Sequence, residues 1–234
     1  PGHGGPGVIG LTFNHNIMKK ICFWLLLPFA CLGHAQQPQN EYGLTIINSL
    51  AQFRDTANDR ELVRITDYVP DVVADIKYAT NQNVFYEKLY DKPHMLLRKP
   101  AAIALANVQA DLKAHGAGLK IFDAYRPYSV TCYMFQRIPD TIYMGKPWKG
   151  SKHNRGIAID VTLIDIKTKK ELSMPTPYDC LTYPAHPGFM ELPDTIIQNR
   201  NLLIETMKKY GFIVAKNEWW HFDFTDNNTY ELLD

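Results

Sequence analysis

Three short segments hold residue types that can ligate a metal ion, move a proton and stabilise a negative charge. The first is Ser151-Lys152-His153-Asn154-Arg155-Gly156-Ile157-Ala158-Ile159-Asp160. On a strand starting at Ile157, alternation puts Ile157, Ile159 and Val161 on one face and Ala158, Asp160 and Thr162 on the other. Gly156 permits a tight turn that brings His153 back over Asp160, and a His/Asp pair so placed can ligate zinc. Taken alone, the segment reads equally well as a loop histidine and a strand aspartate on a solvated face. The second segment is Asn217-Glu218-Trp219-Trp220-His221-Phe222-Asp223-Phe224. Glu218 and His221 would face opposite ways on an ideal strand, so Glu218 must sit in the turn entering the strand or at a bulge. Aromatic residues such as Trp219 and Trp220 usually mean core, yet here their bulk can also exclude water. A His/Asp pair, a later His and a nearby Glu together fit a three-ligand catalytic zinc site with a general base. The third segment is Phe122-Asp123-Ala124-Tyr125-Arg126-Pro127. Its guanidinium can stabilise an oxyanion or bind a carboxylate through two donors; a surface arginine in a turn is the plainer alternative.

The elements that must position these residues follow from periodicity and breakers. Val72 to Tyr78 alternates in part and predicts a short strand. Pro100 opens a helix with Ile103, Leu105, Ala106, Val108 and Leu112 as its stripe, ended by Gly116 or Gly118. Leu119 to Asp123 reads as a strand, Ser129 as the cap of a helix through Phe135, and Ile157 to Leu163 as a second strand. Asp194 reads as the N-cap of a helix through Tyr210, with Lys208 and Lys209 in its last turn. Phe212 to Val214 and Trp219 to Phe224 complete the set as antiparallel neighbours. Helices and strands mix without regular βαβ alternation, which favours an α+β fold over a doubly wound sheet. His94, His115 and His186 lack ligand spacing and read as surface or core residues. Met134 and Met144, with Tyr133, Tyr143 and Trp148, read as core or a pocket wall.

The chain has 234 residues, 46% apolar and 21% charged, which excludes a disordered tail or a collagen-like repeat. Met18, Lys19-Lys20, the apolar run Ile21 to Leu32 and Gly33-His34-Ala35 have the order of a secretory signal peptide over residues 18–35. The run is too short for a spanning helix, which needs about 20 residues. Residues 1–17 then read as upstream translated or vector-derived sequence, and residues 36–234 as one catalytic domain. Removing residues 1–35 takes away two lysines and no acids, moving the formal net charge from +1 to −1. A near-neutral chain without a basic block has no electrostatic footprint for nucleic acid. The mature protein is expected to be exported, periplasmic or secreted, with no stable membrane insertion. Cys132 and Cys180 remain, and sequence leaves open whether they pair.

The pattern Ser151-x-His153-x-x-Gly156-x-Ala158-x-Asp160, with Glu218-Trp219-Trp220-His221 and Asp123-Ala124-Tyr125-Arg126-Pro127, resembles the zinc D-alanyl-D-alanine dipeptidases of the VanX type. The resemblance runs from about Asp75 to Phe224. Asp75-Ile76-Lys77-Tyr78-Ala79-Thr80-Asn81 and Thr176-Pro177-Tyr178-Asp179 narrow it to the dipeptidase branch, although Pro175 stands where that branch usually has Gly. The resemblance implies an α+β fold with a central antiparallel sheet flanked by helices and one Zn²⁺ per chain. It implies His153, Asp160 and His221 as metal ligands, Glu218 as catalytic base and Arg126 as oxyanion stabiliser. Ser151, Tyr78, Asp123 and Asp179 would bind substrate or support the site. The implied activity is hydrolysis of the small dipeptide D-Ala-D-Ala in cell-wall peptide metabolism. The alternative is a D,D-carboxypeptidase or endopeptidase acting on peptidoglycan stem peptides. A binding module with a vestigial metal site is disfavoured because Glu218 and Arg126 are both present.

Gln36 is the expected mature N-terminus. Intact mass spectrometry of protein from an exporting host should give the 36–234 mass, and soluble protein retaining Met18 would contradict it.

Overall fold

Two strands of alternating apolar residues form the spine of the molecule. The structure, a computed structural model, describes Pro1, residues 39–49, Phe53 and residues 60–234. The expected signal peptide, residues 18–35, lies outside the described residues, as does the upstream segment beyond Pro1. Strands β1 (Ile46–Ile47), β2 (Leu62–Arg64), β3 (Val73–Ala74), β4 (Leu96–Arg98), β5 (Ala117–Asp123), β6 (Ala158–Asp165), β7 (Phe212–Val214), β8 (His221–Phe224) and β9 (Leu232–Leu233) alternate irregularly with four helices among the described residues. These are α1 (Ile65–Tyr68), α2 (Lys99–Ala114), α3 (Tyr128–Arg137) and α4 (Asp194–Lys209).

The central sheet has the order β3-β5-β6-β8-β7. Its β5/β6, β6/β8 and β7/β8 pairs are antiparallel, as expected. The edge strand β3 runs parallel to β5, so the sheet is mixed rather than wholly antiparallel. Ile159, Val161 and Leu163 of β6 join Leu105, Val108, Leu203 and Met207 of α2 and α4 in the main hydrophobic cluster. Alternation turns Ala158, Asp160 and Thr162 to the opposite face. Helices α2 and α4 therefore cover one side of the sheet and leave the other for polar chemistry.

Several boundaries differ from the expected ones for identifiable reasons. Helix α2 begins as its Pro100 suggests and closes before Gly116, whose φ is +72°. The cap of α4 is Pro193, with Asp194 in the first turn, where its charge still favours the helix N-terminus. Ser129 does not cap α3. Its backbone N–H, near the start of that helix, donates instead to Asp234 Oδ1 at 2.7 Å. Only Val73 and Ala74 of the stretch Val72 to Tyr78 form strand. Lys77–Ala79 turns into a short 3-10 segment, and the Tyr78 carbonyl accepts the N–H groups of Leu89 and Tyr90. The strand expected from Trp219 starts only at His221, because the Trp219 N–H donates to the carbonyl of Ala185, at the end of the distant 3-10 segment Tyr183–Ala185. Cys132 and Cys180 are both free.

Gly156 closes the 3-10 turn His153–Arg155 at φ +70°, the left-handed conformation that spares only glycine. A Cβ there would stand 2.5 Å from Leu62 Cδ2, whereas one on Gly116, at φ +72°, would meet nothing within 4 Å. Gly116→Ala should therefore cost about 1–2 kcal/mol, the left-handed backbone alone. Gly156→Ala should cost more, and urea unfolding of the two variants measures the difference.

Candidate active site

Strand register assembles the site. Asp123 of β5 lies opposite Asp160 of β6, and Asp160 lies opposite His221 of β8. Three side chains far apart in sequence thus stand in one row across adjacent strands. The turn closed by Gly156 then brings His153 onto the same row. Glu218 occupies the turn before β8, the first of the two placements its spacing allowed.

Three ligand-type atoms converge. His153 Nε2 is 3.2 Å from His221 Nδ1 and 3.4 Å from Asp160 Oδ1, and His221 Nδ1 is 3.0 Å from Asp160 Oδ1. Ligand atoms at zinc's bond lengths of about 2.0–2.2 Å stand about 3.3–3.5 Å apart in a tetrahedron. The triangle has that size, so the residues present fit the ion. The outer nitrogens are committed as well. His153 Nδ1 is 2.6 Å from the Ala124 carbonyl, and His221 Nε2 is 3.1 Å from Asp223 Oδ1. Each acceptor calls for an N–H there, which leaves the inner nitrogens as lone pairs aimed at a common point. Burial alone would raise the Asp160 carboxyl; without an ion, histidines carrying protons on the inner nitrogens instead hold it far below the usual carboxylate range. The Tyr178 hydroxyl donates to its second oxygen at 2.9 Å.

A cavity of about 220 Å³ opens beside this triangle. Glu218 lines it and makes no side-chain hydrogen bond among the described residues; burial pushes its carboxyl up to about 7, against the pull of His221. Arg126 also lines it, and its Nε and Nη2 both donate to Asp123 Oδ2, at 2.9 and 2.7 Å. The Arg126 guanidinium also stands 5.1 Å from the Tyr78 ring centroid. Ser151, Tyr78 and Asp179 are on the wall too. Asp123, expected beside them, does not line the cavity. It is fully buried, with one oxygen on Arg126 and the other accepting from Tyr90 at 2.9 Å, so it supports Arg126 rather than meeting a ligand.

The Tyr78 hydroxyl donates to the Asp179 carboxylate, 3.0 Å from each oxygen. Burial, and then the charge of Asp160, push Asp179 up to about 8. Asp179 sits at φ +58° in a loop anchored by Trp219, whose Nε1 donates to Thr176 Oγ1 at 3.0 Å. Met134, Met144 and Tyr143 line the cavity, as a pocket wall should, while Tyr133 and Trp148 stay partly exposed. Of the other histidines, His94 packs between Tyr90 and Tyr125 and His186 meets the Tyr143 hydroxyl at 3.1 Å. Sequence reasoning missed Asp223, Tyr178 and Tyr90. Asp223 had a readable signal, since two residues beyond His221 on a strand is the same face.

Removing the charge of Asp123 would leave the Arg126 cation buried with its nearest counter-charge gone. Asp123→Asn should destabilise the fold by about 3–5 kcal/mol, and Tyr90→Phe, which loses one hydrogen bond, by about 1 kcal/mol. Chemical denaturation of both variants checks the ratio.

Known proteins share this arrangement's sequence. A family described as D-ala-D-ala dipeptidase matches residues 58–232. A D-alanyl-D-alanine dipeptidase of Escherichia coli K12 is 35% identical over 173 residues, covering 74% of this chain and 89% of that protein. One of Enterococcus faecalis V583 is 30% identical over 172 residues, covering 65% and 85%. A solved vancomycin-resistance D,D-pentapeptidase in complex with Zn(II) aligns with a TM-score of 0.39 at 14% identity, covering 80% of this chain and 89% of that one; a likeness so slight adds nothing. With three quarters of its length matched, the chain belongs to the D-ala-D-ala dipeptidase family of peptidases.

Proposed function

We propose that the protein is a zinc dipeptidase that hydrolyses D-Ala-D-Ala to D-alanine in cell-wall peptide metabolism. The observation that carries this reading is the zinc-sized triangle of His153 Nε2, Asp160 Oδ1 and His221 Nδ1 beside the unpartnered Glu218, in a member of this family. A zinc ion held by those three residues would supply Lewis acidity, lowering the pKa of water towards about 7 and polarising the scissile carbonyl. The rest of the chemistry falls to the chain itself. Glu218 takes the proton of the attacking water and delivers it to the leaving amine, one carboxyl acting in both directions. Its raised pKa suits that double task, since a base is most useful near the working pH.

Arg126 is held rigid by Asp123 and presents its remaining donors to the oxygen that becomes negative during attack. Asp179 receives the substrate ammonium: burial holds its carboxyl protonated up to about 8 before substrate arrives, the arriving cation draws that proton off, and the Tyr78 hydroxyl holds the carboxylate in place. Tyr78 is thereby a positioning residue, because its proton is already given to Asp179. Ser151 stays a candidate substrate contact. Its Oγ accepts from the His153 N–H at 3.2 Å and keeps its own hydrogen for a ligand. We further propose export, supported by the leader-like residues 18–35. No helix of the described residues is long and apolar enough to cross a membrane.

Glu218→Ala should bind zinc near stoichiometrically while losing about 10²–10⁴-fold in kcat. His221→Ala should lose zinc and activity together, and metal analysis beside turnover separates the two roles. Free D-Ala-D-Ala should also be cut far better than an N-acylated dipeptide or a pentapeptide stem. Acylation removes the ammonium and strands Asp179, at a cost of about 1–3 kcal/mol, tenfold or more. Comparable kcat/KM on all three substrates would move the assignment to a carboxypeptidase.

A further inference from the structure

We infer that Lys152 recognises the free C-terminal carboxylate of the substrate and so sets the requirement for an unblocked C-terminus, an inference that rests on the dipeptidase reading above. The charges on the cavity wall carry the argument. Asp160, Asp179, Glu218 and Asp223 all line it, and apart from the histidines its cations are Arg126 and Lys152. A dipeptide brings one ammonium and one carboxylate into this space. The ammonium finds acids in excess. Zinc and Arg126 act on the scissile carbonyl in the reading above, so the carboxylate needs a further cation to offset the acids around it.

Arg126 is a poor candidate for that task. It is buried, and two of its three nitrogens are spent on Asp123. Lys152 differs in each respect. It is exposed, lines the cavity, and its side chain makes no hydrogen bond or ion pair among the described residues. Its backbone is nonetheless fixed. The Lys152 carbonyl accepts from Arg155 at 3.1 Å and from Ile157 at 3.2 Å, inside the turn that carries His153. A compact, flexible ammonium on an anchored backbone, next to the Ser151 hydroxyl, suits a terminal carboxylate entering from solvent. With φ −66° and ψ −29°, the position accepts any unbranched side chain, so substitution there leaves the fold intact.

The test compares zinc-loaded wild-type chain with Lys152→Met and Lys152→Arg on D-Ala-D-Ala and on its C-terminal amide. Wild type should prefer the acid. Lys152→Met should raise KM for the acid about tenfold or more, keep kcat nearly unchanged, and leave the amide unaffected, so that the acid-to-amide ratio of kcat/KM collapses towards one. Lys152→Arg should restore most of the ratio. Because the ammonium is exposed, the wild-type preference should also shrink at about 1 M salt. A Lys152→Met protein that keeps the wild-type ratio overturns the inference, as does a wild type that does not distinguish acid from amide. Should wild type cut neither ligand, the dipeptidase reading fails separately. Equilibrium titration of the same two compounds then decides Lys152 by the corresponding ratio of Kd values.

Discussion

A carboxylate taken out of water must be compensated from every side, and Asp160 is that carboxylate here. One of its oxygens faces two imidazoles and the other accepts from Tyr178, with the Arg126 guanidinium 3.9 Å away. An uncompensated charge at this depth would cost several kcal/mol, so the surrounding elements are fixed in place by its needs. Strand β8 must pair with β6 in the register that sets His221 opposite Asp160. The turn at Gly156 must fold back to bring His153 over it. The loop carrying Tyr178 must close against Trp220, whose ring lies 5.5 Å away. Structural cost and chemical use thus meet in one residue.

Electrostatic support spreads outward from that point in layers. Asp223 and the Ala124 carbonyl hold the outer nitrogens of the two histidines, and Asp123 with Tyr90 holds Arg126. Asp223, Asp123 and Tyr90 are each satisfied by a neighbour, whereas Arg126 and the Ser151 hydroxyl keep donors for a ligand. Glu218 and Lys152 go further, as neither side chain makes a hydrogen bond or ion pair among the described residues. Unspent polar capacity in an otherwise saturated wall marks where an incoming molecule completes the pattern.

The parts of the site that sequence revealed are those written locally. His153 and Asp160 are seven residues apart across a glycine, and Glu218 precedes His221 by three, so turn chemistry and alternation suffice to bring them together. Helix α2 was legible from Pro100 and its apolar stripe for the same reason. What stayed hidden depends on contacts between distant segments. The group near the start of α3 comes from Asp234, 105 residues beyond Ser129, and the partner of the Tyr78 hydroxyl is 101 residues away. No local pattern can say that Asp123 turns inward to Arg126 and Tyr90 rather than outward, or that a two-residue strand joins the sheet edge in parallel.

The two free cysteines give the metal triangle a second meaning. Residues 153 and 221 are joined across a loop that includes α4 and β7, yet no disulfide among the described residues fastens that loop. An ion bridging them would act as a cross-link of long span, removing chain entropy from the unfolded state much as a disulfide does. Its binding energy would then count directly as folding energy. Resistance to unfolding and proteolysis would rise and fall with the free zinc concentration, through RT ln(1 + [L]/Kd). A protein built this way carries its durability in a replaceable bond, one that oxidants and reductants leave alone and chelators undo.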